Sequence, residues 1–134
     1  MTVPHVPILS PAQLPISLGT PLDGRSKIVV SDLINPYGFV VFRGYGVSSD
    51  QEFHDFIECF GLPNFTYAES FSNAVRRNRT PRVFTANEAP PEIEIFLHHE
   101  MAQTLVFPGQ LFFFCEQAPT DGGATPIGLS LIHI

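Results

Sequence analysis

The clearest periodic signal in the chain lies between residues 49 and 61. Phe53, Phe56, Ile57 and Phe60 follow the i, i+3, i+4, i+7 spacing of one helical face. Ser49 is suited to cap the N-terminus, and Glu52, three residues on, completes a capping box. Gly61 and Pro63 close the segment. The pattern predicts a helix that packs its phenylalanines on a core and carries no chemistry. A shorter helix is predicted over Ser26–Leu33, ended by the Asn35-Pro36-Tyr37-Gly38 turn. Residues 1–24 read as irregular, because Pro4, Pro7, Pro11, Pro15 and Pro21 interrupt any long element.

Other apolar runs have the period or composition of strands. Gly38-Phe-Val-Val-Phe-Arg43 is rich in β-branched and aromatic residues and reads as a buried strand. Arg82–Thr85 is a short strand candidate in an otherwise polar stretch over 62–91. In Glu92-Ile-Glu-Ile-Phe-Leu-His-His-Glu100, the residues Ile93, Ile95 and Leu97 share one face of an extended chain. After the Pro108-Gly109 turn, Leu111-Phe-Phe-Phe-Cys115 reads as a fully buried strand. Asp121-Gly-Gly-Ala-Thr-Pro126 reads as a turn into a third strand. Many strands with one or two helices give an α+β, mainly β class, built around a β-barrel.

Composition narrows the function. With 134 residues the chain fits one domain. A formal net charge of -6 argues against a general nucleic-acid or anionic-membrane binder. No apolar run reaches membrane-spanning length. No Lys or Arg precedes Arg25, so no secretory or transit leader is indicated, and a cytoplasmic location is expected. Cys59 and Cys115 form no CxxC pair, which removes a zinc ribbon or redox dithiol. Two thiols so far apart fit a reducing compartment, with a single disulfide left open.

The candidate chemistry sits at His98-His99-Glu100. Side chains alternate along a strand, so His98 and Glu100 project to one face and His99 to the other. On a helix the same pair would diverge by about 200°, at roughly 100° per residue. An imidazole and a carboxylate at one point, with a distant third ligand, make the facial triad of non-haem iron oxygenases. The zinc-peptidase alternative fails, because His99-Glu100-Met101-Ala102-Gln103 has Gln where the second His belongs.

Three segments then occur in order: Leu97-His-His-Glu-Met-Ala102, Phe107-Pro-Gly-Gln-Leu-Phe-Phe-Phe-Cys115 and Gly122-Gly-Ala-Thr-Pro126. Together with Tyr37–Gly44 and the Asp50–Phe60 helix, they make residues 26–128 resemble the taurine dioxygenase-like family, clavaminate synthase-like members included. The resemblance implies a double-stranded β-helix (jelly roll) with flanking helices, incomplete in its C-terminal half. It implies an Fe(II), 2-oxoglutarate-dependent oxygenase that takes O₂ and hydroxylates a small-molecule substrate while 2-oxoglutarate is decarboxylated to succinate. By position, His98 and Glu100 would be metal ligands. Thr125 would donate to the carboxylate of 2-oxoglutarate, a charge-assisted bond, where its bland alternative is a bond to its own backbone. Phe112, Phe113 and Phe114 would wall the site against water.

Ala124 departs from the family pattern, which often has an acidic residue there. The family's distal His and the Arg that grips the far carboxylate of 2-oxoglutarate come later than residue 128. The expected organisation is therefore the N-terminal part of one oxygenase domain over 1–128, inactive as given. Leu129-Ser-Leu-Ile-His-Ile134 resembles an in-frame translation of a sequencing-adapter end and is expected to be a scar, so His133 carries no role. Two other readings stay open: a catalytically dead jelly-roll module that binds or regulates, and a cupin-like metal protein. Around the motif, His99 is expected in packing or support. Cys115 is read as a small hydrophobe, and Cys59 has no activating partner. Arg76, Arg77, Arg79 and Arg82 read as a solvated loop, with an anion-binding lid as the functional alternative. Thr85, Ala86 and Asn87 are candidate substrate-side residues without assignment.

Overall fold

A computed structural model describes residues 6–65, 76–86, 88–90, 92–101, 104–105 and 107–128. Asn87, Ala102, Gln103 and the 129–134 segment named above lie outside these. The chain divides into two compact units, Met1–Leu62 and Pro63–Ile134. Among the described residues no helix is long and apolar enough to cross a membrane.

The first unit runs β1 (Ile8–Leu9), α1 (Gly24–Tyr37), β2 (Val41–Phe42) and α2 (Asp50–Glu58). β1 and β2 pair in parallel, Ile8 opposite Val41 and Leu9 opposite Phe42. The amides of Val41 and Arg43 donate to the carbonyls of Pro7 (2.8 Å) and Leu9 (2.9 Å). β1 is an addition to the reading of residues 1–24 as irregular. A proline cannot donate, but its carbonyl accepts, so a two-residue strand fits between Pro7 and Pro11. The same limit makes β2 shorter than the predicted Gly38–Arg43 strand, since its partner offers only two residues.

α1 is longer than predicted at both ends. Asp23 caps it, its carboxylate accepting from the amide of Ser26 at 2.7 Å. That bond, chiefly, holds the Asp23 carboxyl below its ordinary pKa. Pro36 lies inside the last turn rather than ending the helix. Its missing N–H forfeits one bond there, and the amide of Gly38, in the left-handed region at φ 76°, closes the end on Ile34 O at 2.6 Å.

α2 is the helix that the periodicity predicts. Ser49 Oγ accepts from the amide of Glu52 (3.2 Å), while the Glu52 carboxylate reaches back to the hydroxyl and amide of Ser48 (2.7 and 2.9 Å). The box therefore closes one residue earlier than its usual form. A tighter tail follows, Gly61 N–H donating to Glu58 O at 3.0 Å. The 17–22 loop satisfies carbonyls at this end: Gly19 donates to Asp55 O (3.2 Å) and Leu22 to Cys59 O (2.7 Å).

Phe53, Phe56, Ile57 and Phe60 are buried with Leu9, Leu14, Leu22, Val30 and Cys59. Phe56 stands edge-on to Phe42 and Tyr45, at 5.2 and 5.6 Å between centroids. Tyr45 donates its hydroxyl to Leu14 O at 2.8 Å, and burial raises its pKa. Both cysteines are free thiols. The Cys59 thiol lies within reach of the carbonyls of Asp55 and Ser17, at 3.2 and 3.4 Å.

The second unit corrects three strand expectations. Residues 93–99 and 111–115 form no ladder among the described residues, and neither does 122–128. The 111–115 run is not fully buried: Leu111, Phe113 and Cys115 are exposed, and only Phe112 and Phe114 are half-buried. Cys115 is thus exposed rather than a core residue. Exposure alternates along 111–115, whereas 93–99 is exposed throughout. What is missing is a hydrogen-bonded neighbour, and strand pairing is a property of two segments. Arg82–Thr85 contributes one antiparallel bridge, Phe84 to Asn78, instead of a strand. The described residues therefore hold two helices and one small parallel sheet, less β structure than the predicted mainly β jelly roll.

Candidate metal centre

The site is built from two pieces of the second unit. The first is a tight hairpin over 77–85. Thr80 Oγ1 accepts from the amides of Arg82 (3.2 Å) and Val83 (3.0 Å), a turn that Pro81 favours by its fixed φ. Below the turn, Arg79 N–H donates to Val83 O (2.8 Å) and Thr85 N–H to Arg77 O (2.9 Å). Val83 is buried. This hairpin sets Arg76 at its base.

The second piece is the irregular run over 93–99 that leads to Glu100. Next comes Met101, buried and left-handed at φ 59°, a costly conformation for a long side chain. Its carbonyl accepts from both the amide and hydroxyl of Thr104, at 3.0 and 2.9 Å. These bonds tie Met101 to Thr104 just after Glu100.

His98 and Glu100 come together at the end of that run. His98 Nε2 stands 3.8 Å from Glu100 Oε2. His98 Nδ1 lies 2.7 Å from the carbonyl of Phe96. A carbonyl can only accept, so Nδ1 carries the proton, and in the neutral ring Nε2 keeps its lone pair facing the carboxylate. A backbone carbonyl behind a histidine is the usual outer support of a metal-binding imidazole. His99 does not join them. Its Nδ1 is 3.1 Å from Glu100 O, and its ring meets Phe107 edge-on at 5.5 Å.

The other carboxylate oxygen is engaged. Arg76 Nη2 donates to Glu100 Oε1 at 3.1 Å, with only 17% and 15% of the two side chains exposed. Arg77 pairs with Glu88 (3.1 Å) and Arg79 with Glu116 (3.4 Å), both at more exposed positions. The arginines thus tie the hairpin to three acidic residues, which the lid reading did not anticipate. No local signal marks the Arg76–Glu100 pair, since 24 residues separate the partners.

Thr125 is exposed in the 122–128 segment, and no hydrogen bond joins it to His98 or Glu100 among the described residues. Gly122 and Gly123 are both left-handed (φ 65° and 68°), and a Cβ on Gly123 would overlap the Pro119 ring. Gly128, at the end of the segment, approaches Leu97.

As a donor set, one imidazole nitrogen and one carboxylate oxygen suit a divalent first-row metal. Ligands on adjacent corners of an octahedron, about 2.1 Å from the ion, stand about 3 Å apart. The 3.8 Å separation is wider by about 0.8 Å, within the swing of a His98 side chain that is 58% exposed. Among the described residues no third His, Cys, Asp or Glu completes a cluster. Among the described residues, His98 and Glu100 are thus the candidate donor pair.

Comparison with known proteins leads to the same place. A clavaminate synthase-like protein of Arabidopsis thaliana is 42% identical over 134 aligned residues, covering 95% of this chain and 40% of that protein. The dapdiamide synthesis protein DdaC of Enterobacter agglomerans is 29% identical over 125 residues, covering 92% of this chain and 36% of that protein. The chain thus spans well under half the length of these relatives. No solved structure matches it at a significant level. The family model "Taurine catabolism dioxygenase TauD, TfdA family" matches residues 6–128, a stretch that holds the hairpin, the His98–Glu100 pair and the Gly-Gly-Ala-Thr turn. A sequence matched over that whole length belongs to the TauD/TfdA dioxygenase family.

Proposed function

We propose that this chain supplies the first two metal ligands, His98 and Glu100, of an Fe(II), 2-oxoglutarate-dependent oxygenase acting on a small organic molecule. The observation that supports the reading is the approach of His98 Nε2 to Glu100 Oε2 within one short segment. Family membership supports the cofactor and the reaction class. When bound, Fe(II) with a 2-oxo acid supplies the electrons that activate O₂, and the 2-oxo acid leaves as succinate and CO₂.

The chain's own residues do the arranging. The Phe96 carbonyl fixes the His98 tautomer, and the turn at Met101 fixes where Glu100 stands. Thr125, which follows the Gly122-Gly123 turn, is the proposed donor to the 2-oxoglutarate carboxylate. Phe112 and Phe114 supply apolar surface that would keep water from the site. Residues 1–128 are proposed as part of a longer oxygenase domain, with the last histidine ligand and an anchoring arginine beyond them. As a 134-residue chain the molecule is proposed to be inactive.

Anaerobic Mn(II) titration of the full-length gene product tests this assignment. His98→Ala and Glu100→Gln are each expected to weaken Mn(II) binding at least tenfold, while His99→Ala changes it less than threefold. Equal affinities in all four proteins would overturn the ligand assignment.

A further inference from the structure

The two oxygens of Glu100 face different partners: Oε2 turns to His98 Nε2, and Oε1 accepts from Arg76. Among the described residues, both members of this pair are better covered than those of Arg77–Glu88 and Arg79–Glu116. An exposed pair fixes little, because water competes and the side chains wander. A covered guanidinium on a carboxylate is a strong directional contact that holds its partner in one orientation. The hairpin hydrogen bonds at Thr80 and Thr85 in turn hold the segment that carries Arg76.

We propose that Arg76 is a positioning residue that restricts Glu100 to one-oxygen coordination of the metal. This rests on the ligand assignment above. A glutamate is long enough to bind a metal through both oxygens. With two histidines it would then fill four of six positions and leave two. A 2-oxo acid binding through two atoms needs both, and O₂ would have none. With Oε1 held by Arg76, Glu100 fills one position and three remain open. Arg76 thereby protects the coordination vacancies on which the proposed chemistry depends, instead of touching the substrate as a lid residue would.

The test uses the full-length gene product loaded anaerobically with Mn(II). Calorimetric titration compares 2-oxoglutarate with pyruvate, a 2-oxo acid that lacks the far carboxylate. Arg76→Met is expected to leave Mn(II) affinity within threefold. It should also leave both 2-oxo acids within about threefold, because the two positions they need remain. The position lost is the one O₂ takes: in the anaerobic Fe(II) protein with 2-oxoglutarate, nitric oxide, a surrogate for O₂ read by its electron paramagnetic resonance signal, is expected to bind about tenfold or more weakly than in the parent. Arg76→Lys, which can still occupy Oε1, is expected to keep nitric oxide binding within about threefold of the parent. A loss confined to 2-oxoglutarate would show that Arg76 grips the far carboxylate directly, and would overturn the proposal. So would unchanged nitric oxide binding in Arg76→Met. Should Arg76→Met fail to fold, infrared difference spectra of the parent, with and without Mn(II) and referenced to Glu100→Gln, give the binding mode. The wide carboxylate splitting of one-oxygen coordination supports the proposal, and two-oxygen coordination overturns it. If His98→Ala and Glu100→Gln leave Mn(II) binding intact, the ligand assignment itself has failed. If they abolish it while Arg76→Met changes nothing, only the role of Arg76 has failed.

Discussion

Replacing Phe56 by alanine should open the first unit. Phe56 is 4% exposed and stands in ring contact with Phe42, Tyr45 and Phe60. Burying a side chain of this size contributes about 1.5–3 kcal/mol by transfer alone. The cavity left behind and the lost ring contacts with Phe42, Tyr45 and Phe60 raise the cost of Phe→Ala to about 3–5 kcal/mol. A whole domain is stable by only about 5–15 kcal/mol, so most of the unit's margin would be consumed. Amide hydrogen exchange of α2, read by mass spectrometry on dilute protein, is the suitable assay, because it reports opening of one region. At about 1.4 kcal/mol per tenfold, protection should fall by roughly two to three and a half orders of magnitude. Ile28→Ala on α1, where the side chain is 61% exposed, should change α2 protection less than about threefold. A loss under tenfold for Phe56→Ala, or an equal loss for Ile28→Ala, would refute this account of the core.

Further outcomes can be checked separately. Hydrogen bonds from the Ser48 hydroxyl and amide, then the Ser49 hydroxyl, hold the Glu52 carboxyl below its ordinary pKa. A depressed folded-state pKa gives stability that is present above the unfolded value and is lost as pH falls through the folded one. Protection of α2 should therefore fall on acidification through and below the ordinary carboxylate range, and Glu52→Gln should flatten that slope; a parent that shows no slope would contradict it. Phe96 and Phe113 are 72% and 75% exposed in segments that form no ladder among the described residues, and exposed apolar runs of strand-forming composition invite association. The 134-residue chain should self-associate in sedimentation, and a monodisperse monomer at micromolar concentration would argue against the exposed row. Resequencing the gene beyond the Gly128 codon should reveal a later histidine followed by an arginine; a barrel that continues without that histidine would favour the dead binding module.

Some of this was legible in the sequence. α2 could be read because its signals are local: the cap at Ser49, the acid at 52 and the phenylalanine spacing lie within one segment. α1 was read too short, because Pro36 looked like a stop. In the last turn it forfeits little, and Asp23 rather than Ser26 begins the helix. The 93–99 and 111–115 runs carry neither helix nor ladder among the described residues. Neither is a strand here, since pairing depends on a second segment that no single run encodes. His98 and Glu100 nonetheless approach each other, and His99 meets Phe107 instead. Arg76 could not be found this way, because its contact with Glu100 depends on a hairpin closing across an irregular stretch.

The central claim is that His98 and Glu100 hold the metal of a 2-oxo-acid-dependent oxygenase. Its most direct test is Fe(II)-dependent conversion of 2-oxoglutarate to succinate by the full-length gene product, measured without added substrate. The account predicts slow turnover in the parent that chelation removes and Fe(II) restores, with none in His98→Ala. Turnover that survives His98→Ala, or none in a folded parent that binds Fe(II) and 2-oxoglutarate, would contradict it.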